Sequence, residues 1–438
     1  MTAVWTTPLP HLRVDRLPLL PLIATVLLLA APIQTAGADT SANVTPADLA
    51  SCALVLTALA QVLHRRRRPL TPAAALVLGL PAVAIAVATA TATDPTAALT
   101  GFVRYLQVFV LVPTAVVLLL RTPNHFRIIT TALIALAVTQ GATGVYQYAT
   151  NTGASYMGED IRAVGTFGAT DVMGMATVVS YGLLAALALA LRPPENAHPC
   201  LRPCAIATAA ALTIPLALSF SRGAWIATLA AAFAMIFLTG RRQAVRALTT
   251  LTAASVILVG GFGIGSEMIS KRLTSITEVT EAPDRSVTDR YTMWTAAVSM
   301  WQERPATGVG IKGFPAHRDA HASIALSSGS DTAGAGQTFH KQALLSPHNM
   351  YLLILSEQGL IGLTAFLAGW AAILLAALRR LTKSSTTAAD CGLAAVGLAT
   401  WQTVDFLYAD IGGPSTVLTG IILGLAAWWA LAPSEERA

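Results

Sequence analysis

Apolar stretches long enough to cross a bilayer recur along almost the whole chain, and no other feature narrows its possible folds as much. A hydrocarbon core about 30 Å thick takes roughly 17–25 residues of helix. Such stretches fall near 17–34, 46–63, 70–92, 98–120, 125–148, 170–191, 203–220, 222–239, 244–265, 347–378, 385–407 and 413–431. The tenth is too long for one straight span. It is expected to tilt, or to break near Gln358-Gly359 with 348–357 at the interface. Only 11% of the 438 residues are charged, against about 25% in soluble domains. So few charges cannot solvate a globular surface, and the expectation is an all-α integral membrane protein with about twelve transmembrane helices.

The interruptions between these stretches set the orientation. Basic residues cluster in alternate short connections: Arg65 to Arg68, Arg241-Arg242 with Arg246, and Arg379-Arg380 with Lys383. That is the positive-inside pattern and not a nucleic-acid surface, despite a net charge of +6. Both termini are placed in the cytosol of a cytoplasmic-membrane protein. One interruption is far longer than the rest. The chain divides into spans one to nine (1–265), a polar extracytoplasmic loop (266–346) and spans ten to twelve (347–438). The loop carries eight Lys/Arg and eight Asp/Glu, so its cations act singly or not at all. Within it, Thr288 to Arg304 is expected to be helical, capped by Thr288 and stopped by Pro305. Ser327 to Gly336 has no periodicity and is expected to be mobile. Leu17 to Ala36 resembles a signal sequence faintly and is taken as an uncleaved first span. Cys52, Cys200, Cys204 and Cys391 all lie outside the loop and are taken as structural thiols.

Three residues at the outer margins suggest chemistry. Arg222 lies in the tight turn Ser221-Arg222-Gly223, where a guanidinium either snorkels to the interface or grips an anion bidentately. Arg290 follows Asp289 and shares a helix face with Trp294 and Trp301. It is either half of a surface ion pair beside interfacial tryptophans, or a second cation for the same anion with Trp294 as a sugar or lipid platform. His348 follows Pro347 at a helix start. It is either a capping histidine or a neutral imidazole able to take a hydroxyl proton. His317 and His321 have zinc-compatible spacing in a segment that otherwise looks solvated. Arg104, about two turns below the outer end of the fourth span, either lines a cavity or snorkels, and Asp405 and Asp410, near the outer end of span eleven, are candidate partners of Arg222. No phosphate-loop, zinc-protease or serine-hydrolase motif occurs in the sequence.

The chain resembles the O-antigen ligase/polymerase family of bacterial membrane glycosyltransferases. The resemblance rests on Ser219-Phe-Ser-Arg222-Gly-Ala-Trp225, Asp289-Arg290-Tyr-Thr-Met-Trp294, Pro305-x-x-Gly308-Val-Gly310, Ser346-Pro347-His348-Asn349-Met-Tyr351 and Glu357-Gln-Gly359-Leu-Ile-Gly362. It is densest from about 160 to 365. It implies a GT-C-like membrane glycosyltransferase that needs no cofactor and no metal. Its partners would be an undecaprenyl-diphosphate-linked glycan donor, a glycan or lipid-linked acceptor and the bilayer, with no nucleic acid. It also implies that Arg222 and Arg290 hold the diphosphate and that His348 activates the acceptor hydroxyl in an inverting transfer. Asp289, Trp294 and Arg162 are secondary candidates. The family often has asparagine where this chain has Asp171, after Gly165-Thr166-Phe167-Gly168. Polymerase is slightly favoured over ligase, because the composition suggests a GC-rich source in which lipopolysaccharide is not the expected acceptor. A transporter or lipid-carrier flippase is the rival from another class. It predicts mid-membrane charges and repeat symmetry, and no symmetry is visible. A cell-wall transglycosylase would need a loop aspartate with no clear match here.

Overall fold

A computed structural model describes residues 14–32, 44–65, 70–156, 162–195, 197–240, 242, 245, 285–322, 330–334, 337–342, 345–383 and 388–432. Helices dominate it. In chain order they are α1 (Leu20–Leu27), α2 (Pro46–Arg65), α3 (Pro72–Ala90), α4 (Pro95–Leu106), α5 (Val112–Leu119), α6 (Pro123–Ala149), α7 (Gly174–Leu191), α8 (Leu201–Leu218) and α9 (Arg222–Leu238). Then come α10 (Arg285–Glu303), α11 (Phe314–His321), α12 (Met350–Lys383), α13 (Ala389–Asp405) and α14 (Thr416–Leu431). A π-helical turn, Gln107–Leu111, joins α4 to α5. Among the described residues, seven helical segments are long and apolar enough to cross a membrane, and three shorter ones are also apolar. The ninth apolar stretch, 244–265, lies outside the described residues but for Val245.

Proline punctuates the bundle. Pro46, Pro72, Pro95 and Pro123 each open a helix, where a missing N–H is harmless. Thr71, Asp94 and Thr122 accept from backbone N–H groups of the helices they cap. At the centre, α7, α13 and α14 are buried on nearly all sides. The indoles there still find acceptors: Trp401 donates to Thr228 Oγ1 at 2.9 Å, Trp428 to the Leu120 carbonyl at 2.7 Å and Trp429 to the Ala377 carbonyl at 3.2 Å. A buried N–H left unpaired would cost about 1–3 kcal/mol. The periphery is apolar too: Leu56, Leu59, Leu63, Leu76, Val83, Ile206 and Ile214 are exposed. A helix bundle with apolar residues both inside and outside belongs in lipid.

Two expectations change. The fold is not purely helical: β1 (Ala154–Tyr156), β2 (Ser330–Gly334) and β3 (Gln337–Gln342) form a small antiparallel sheet in the order β1-β2-β3. Part of the segment expected to be mobile is therefore strand: β2 pairs with β3 directly after it and with β1, which lies far away in sequence. The loop helix begins at Arg285, so Thr288 is within it and is not its cap. One expectation holds: of the tilt or break that its excess length required, α12 takes the break, at Gly359 (φ 63°, ψ −161°).

That break explains the Pro305–Gly310 motif. A kinked helix frees backbone groups, and lipid offers them no partner. Here Val309 N–H donates to the Ser356 carbonyl (2.8 Å) and Gly310 N–H to the Glu357 carbonyl (3.0 Å). In return, Leu360 N–H donates to the Pro305 carbonyl (2.9 Å) and Ile361 N–H to that of Ala306 (3.2 Å). The backbones approach so closely that a Cβ at Gly308 would lie 2.4 Å from the Ser356 oxygen. The end of α10 is thus stitched to the break in α12.

Candidate active site

Three turns converge on the connection between α13 and α14, residues 405–415. The first is Ser219–Gly223. Phe220 takes a left-handed conformation (φ 49°), Ser221 Oγ accepts from Ala224 N–H at 3.2 Å, and Arg222 becomes the first residue of α9. Its neighbour Gly223 lies against Tyr408, whose Cβ would be 2.9 Å from an added Cβ. Arg222, half-buried, therefore leaves the backbone beside the Asp405–Asp410 turn.

The second turn carries His348, itself left-handed (φ 48°). The residues after it are clamped to the same connection. Met350 N–H donates to the carbonyls of Phe406 (2.8 Å) and Ala409 (3.1 Å), and Asn349 Nδ2 donates to that of Leu407 (3.1 Å). Asn349 Oδ1 also accepts from Leu352 N–H at 3.0 Å, capping α12. Before it, Trp294 Nε1 donates to the Pro347 carbonyl at 2.9 Å.

The third turn runs from Asp171 to Gly174. Asp171 Oδ2 accepts from Ser415 N–H at 3.1 Å, and Arg104 donates to the Gly413 carbonyl at 3.1 Å while pairing with Asp48. Asp171, where the resemblance leads one to expect asparagine, thus uses an acceptor oxygen that either side chain possesses. Burial raises its carboxyl above the usual range, against its hydrogen bonds to Ser415 and Gly174.

Charges meet where these turns meet. His348 lies within electrostatic range of Asp410 and Arg290, and Asp405 within range of Asp410, Arg290 and Asp171. Burial pushes the imidazole below its ordinary value of 6.5 and Arg290 pushes the same way, while Asp410 opposes them. The resting state is a neutral histidine in the neighbourhood of Arg290 and Asp410. The Oδ2 atom of Asp410 is buried with no hydrogen-bond partner among the described residues.

The structure gathers Arg290, Asp289, Trp294 and His348 at one place and sets the Arg222 turn against the same connection. Asp289 is 4% exposed, so it is not half of a solvated surface pair. Trp301 lies further along α10 with its indole nitrogen buried. The face of α10 that packs inward is Met293, Ala296, Ala297 and Met300, not the tryptophan stripe. Arg162 sits in a backbone bridge with Ala154, and the next residue, Ala163, donates its N–H to the Leu218 carbonyl at 3.1 Å, just before the Arg222 turn. The Gly165–Gly168 segment after it is held by α6: Gln147 Oε1 accepts from Val164 and Gly165, and Gln140 Oε1 accepts from Thr166. His317 bonds the Gly313 carbonyl and His321 bonds Ser299 Oγ, both at 2.9 Å. Sequence reasoning missed the 405–415 connection as the hub. Its only visible signal is two aspartates followed by Gly412-Gly413-Pro414.

Residues 207–367 match the O-antigen ligase family, and that segment holds Arg222, Arg290, His348 and the Gly308–Gly359 contact. No curated protein matches the chain.

Proposed function

We propose, from the place of residues 207–367 in the O-antigen ligase family, that this membrane protein is a glycosyltransferase acting outside the cytoplasmic membrane. Its donor is a glycan on undecaprenyl diphosphate and its acceptor is a sugar hydroxyl. The observation that carries the reading is the placing of His348 near Arg290 and Asp410, on a turn bonded to the same 406–409 connection that the Arg222 turn packs against.

The chemistry balances without ATP, because the leaving group is already activated. The acceptor oxygen forms a bond to the anomeric carbon as the bond from that carbon to the diphosphate oxygen breaks. His348 takes the hydroxyl proton, and Asp410 steadies the resulting imidazolium. Arg222 and Arg290 meet the charge that develops on the diphosphate, where planar, bidentate donors serve best. A single in-line displacement inverts the anomeric centre. The orientation inferred from the basic connections sets these groups on the outer side, with both termini cytosolic.

The test is complementation of a deletion strain with wild type, Arg222→Ala or Arg290→Ala at matched membrane levels. Both variants are expected to accumulate carrier-linked glycan while surface polymer falls by a factor on the order of 10²–10³, as when a transition-state anion donor is removed. Stored single repeat units would mark a polymerase and stored long chains a ligase. Wild-type behaviour in both variants would sink the reading and favour interfacial arginines.

A pH dependence also follows. A histidine whose pKa is lowered stays neutral, and so competent as a base, below 6.5. The acid limb of kcat/KM is therefore expected below pH 6.5. Asp410→Asn removes the group that raises the pKa, so its limb is expected to move lower still. An upward move would contradict the assignment.

A further inference from the structure

On the reading above, His348 must present its imidazole in one direction, yet its backbone has a conformation that residues with a Cβ adopt rarely (φ 48°). Such a turn persists only when its surroundings over-determine it. Downstream, the Met350 and Asn349 bonds to the 406–409 carbonyls do this. Upstream, Pro347 has no N–H to pin, so its carbonyl is the available handle. That carbonyl accepts the indole N–H of Trp294 at 2.9 Å. Trp294 lies one turn beyond Arg290 on α10, which is anchored through Met293, Ala296, Ala297 and Met300. Its ring is also engaged, meeting Tyr291 edge-on at 5.6 Å.

We propose that Trp294 is a positioning residue: its indole N–H holds the Pro347 carbonyl and so fixes the direction of His348, instead of offering a stacking platform to sugar or lipid. The placement of Arg290 and Trp294 on one helix then ties the group that meets the diphosphate to the one that aims the base. The proposal rests on the glycosyltransferase reading for its consequence but not for its geometry.

The test uses the full chain in nanodiscs, with Trp294→Phe and with 3-benzothienylalanine, an indole-shaped side chain lacking the N–H, incorporated at position 294. Three quantities are read: hydrogen exchange over 346–352, binding of undecaprenyl diphosphate, and transfer from carrier-linked glycan extracted from the deletion strain. Exchange is expected to quicken in both variants. Transfer is expected to slow by about ten- to a hundredfold, the scale of a displaced reacting group, with binding kept within about twofold. In a His348→Ala background Trp294→Phe should cost nothing further, because the two residues act as one unit. Unchanged exchange overturns the proposal, and so does a loss of binding that matches the loss of rate, which is the platform's signature. Wild-type protein that neither binds undecaprenyl diphosphate nor transfers would refute the enzyme reading, while the exchange result would still decide whether Trp294 holds His348.

Discussion

His348→Ala is expected to lower glycan transfer by about 10²–10⁴, the range for a lost general base, while undecaprenyl diphosphate still binds. The companion variant His348→Gly separates chemistry from architecture. A left-handed residue with a Cβ costs roughly 1–2 kcal/mol, and glycine removes that cost. If His348 were there only to shape or cap the turn, glycine would serve as well or better. The expectation is instead a chain as thermally stable as wild type, or more so, and as inactive as the alanine variant. Thermal unfolding in detergent and transfer from extracted carrier-linked glycan measure the two sides. An active glycine variant would remove His348 from the mechanism. The strain itself favours the functional reading, since conformations of this kind persist at sites where a direction matters more than local stability.

What could be read beforehand depended on how local the signal was. Helix positions followed from apolar run length, a signal contained within each segment. The break at Gly359 was half readable for the same reason: the stretch 347–378 exceeds one crossing and so had to tilt or break. Arg222, Arg290 and His348 stood out because cations and a histidine are sparse at such margins. Contacts between distant segments left no comparable trace. Nothing local to 154–156 or 330–342 announces that they pair. The 405–415 connection resembles an ordinary outer turn until Asn349, Met350, Arg104 and Asp171 are seen to bond to it. The left-handed backbone of His348 is invisible for a further reason. Glycine at such a position would signal it, and histidine does not. Trp294 was noticed for its ring, whereas its geometry turns on one N–H.

Gly359→Ala is expected to cost about 3 kcal/mol or more, because a residue confined to glycine-only backbone space and a backbone collision act together. At φ 63° and ψ −161° a side chain is strained whatever the space, and here a Cβ would lie 2.3 Å from the Ala306 carbonyl oxygen. No rotamer relieves that, since the obstacle is backbone. The two segments would have to separate, exposing the Ser356 and Glu357 carbonyls and the Leu360 and Ile361 N–H groups at the break in α12. Within a membrane each such group costs several kcal/mol if nothing replaces its partner. The damage reaches the site from both sides. The short first segment of α12 carries the His348 turn, and the Pro305–Gly310 segment is the continuation of α10, which carries Arg290 and Trp294. Gly79→Ala, in α3 with nothing within 4 Å of the added Cβ, is the control. It should be neutral or slightly stabilising, as alanine favours helix. Thermal unfolding and membrane yield compare the pair, and equal behaviour would mean that the break in α12 is not a fixed element of the fold.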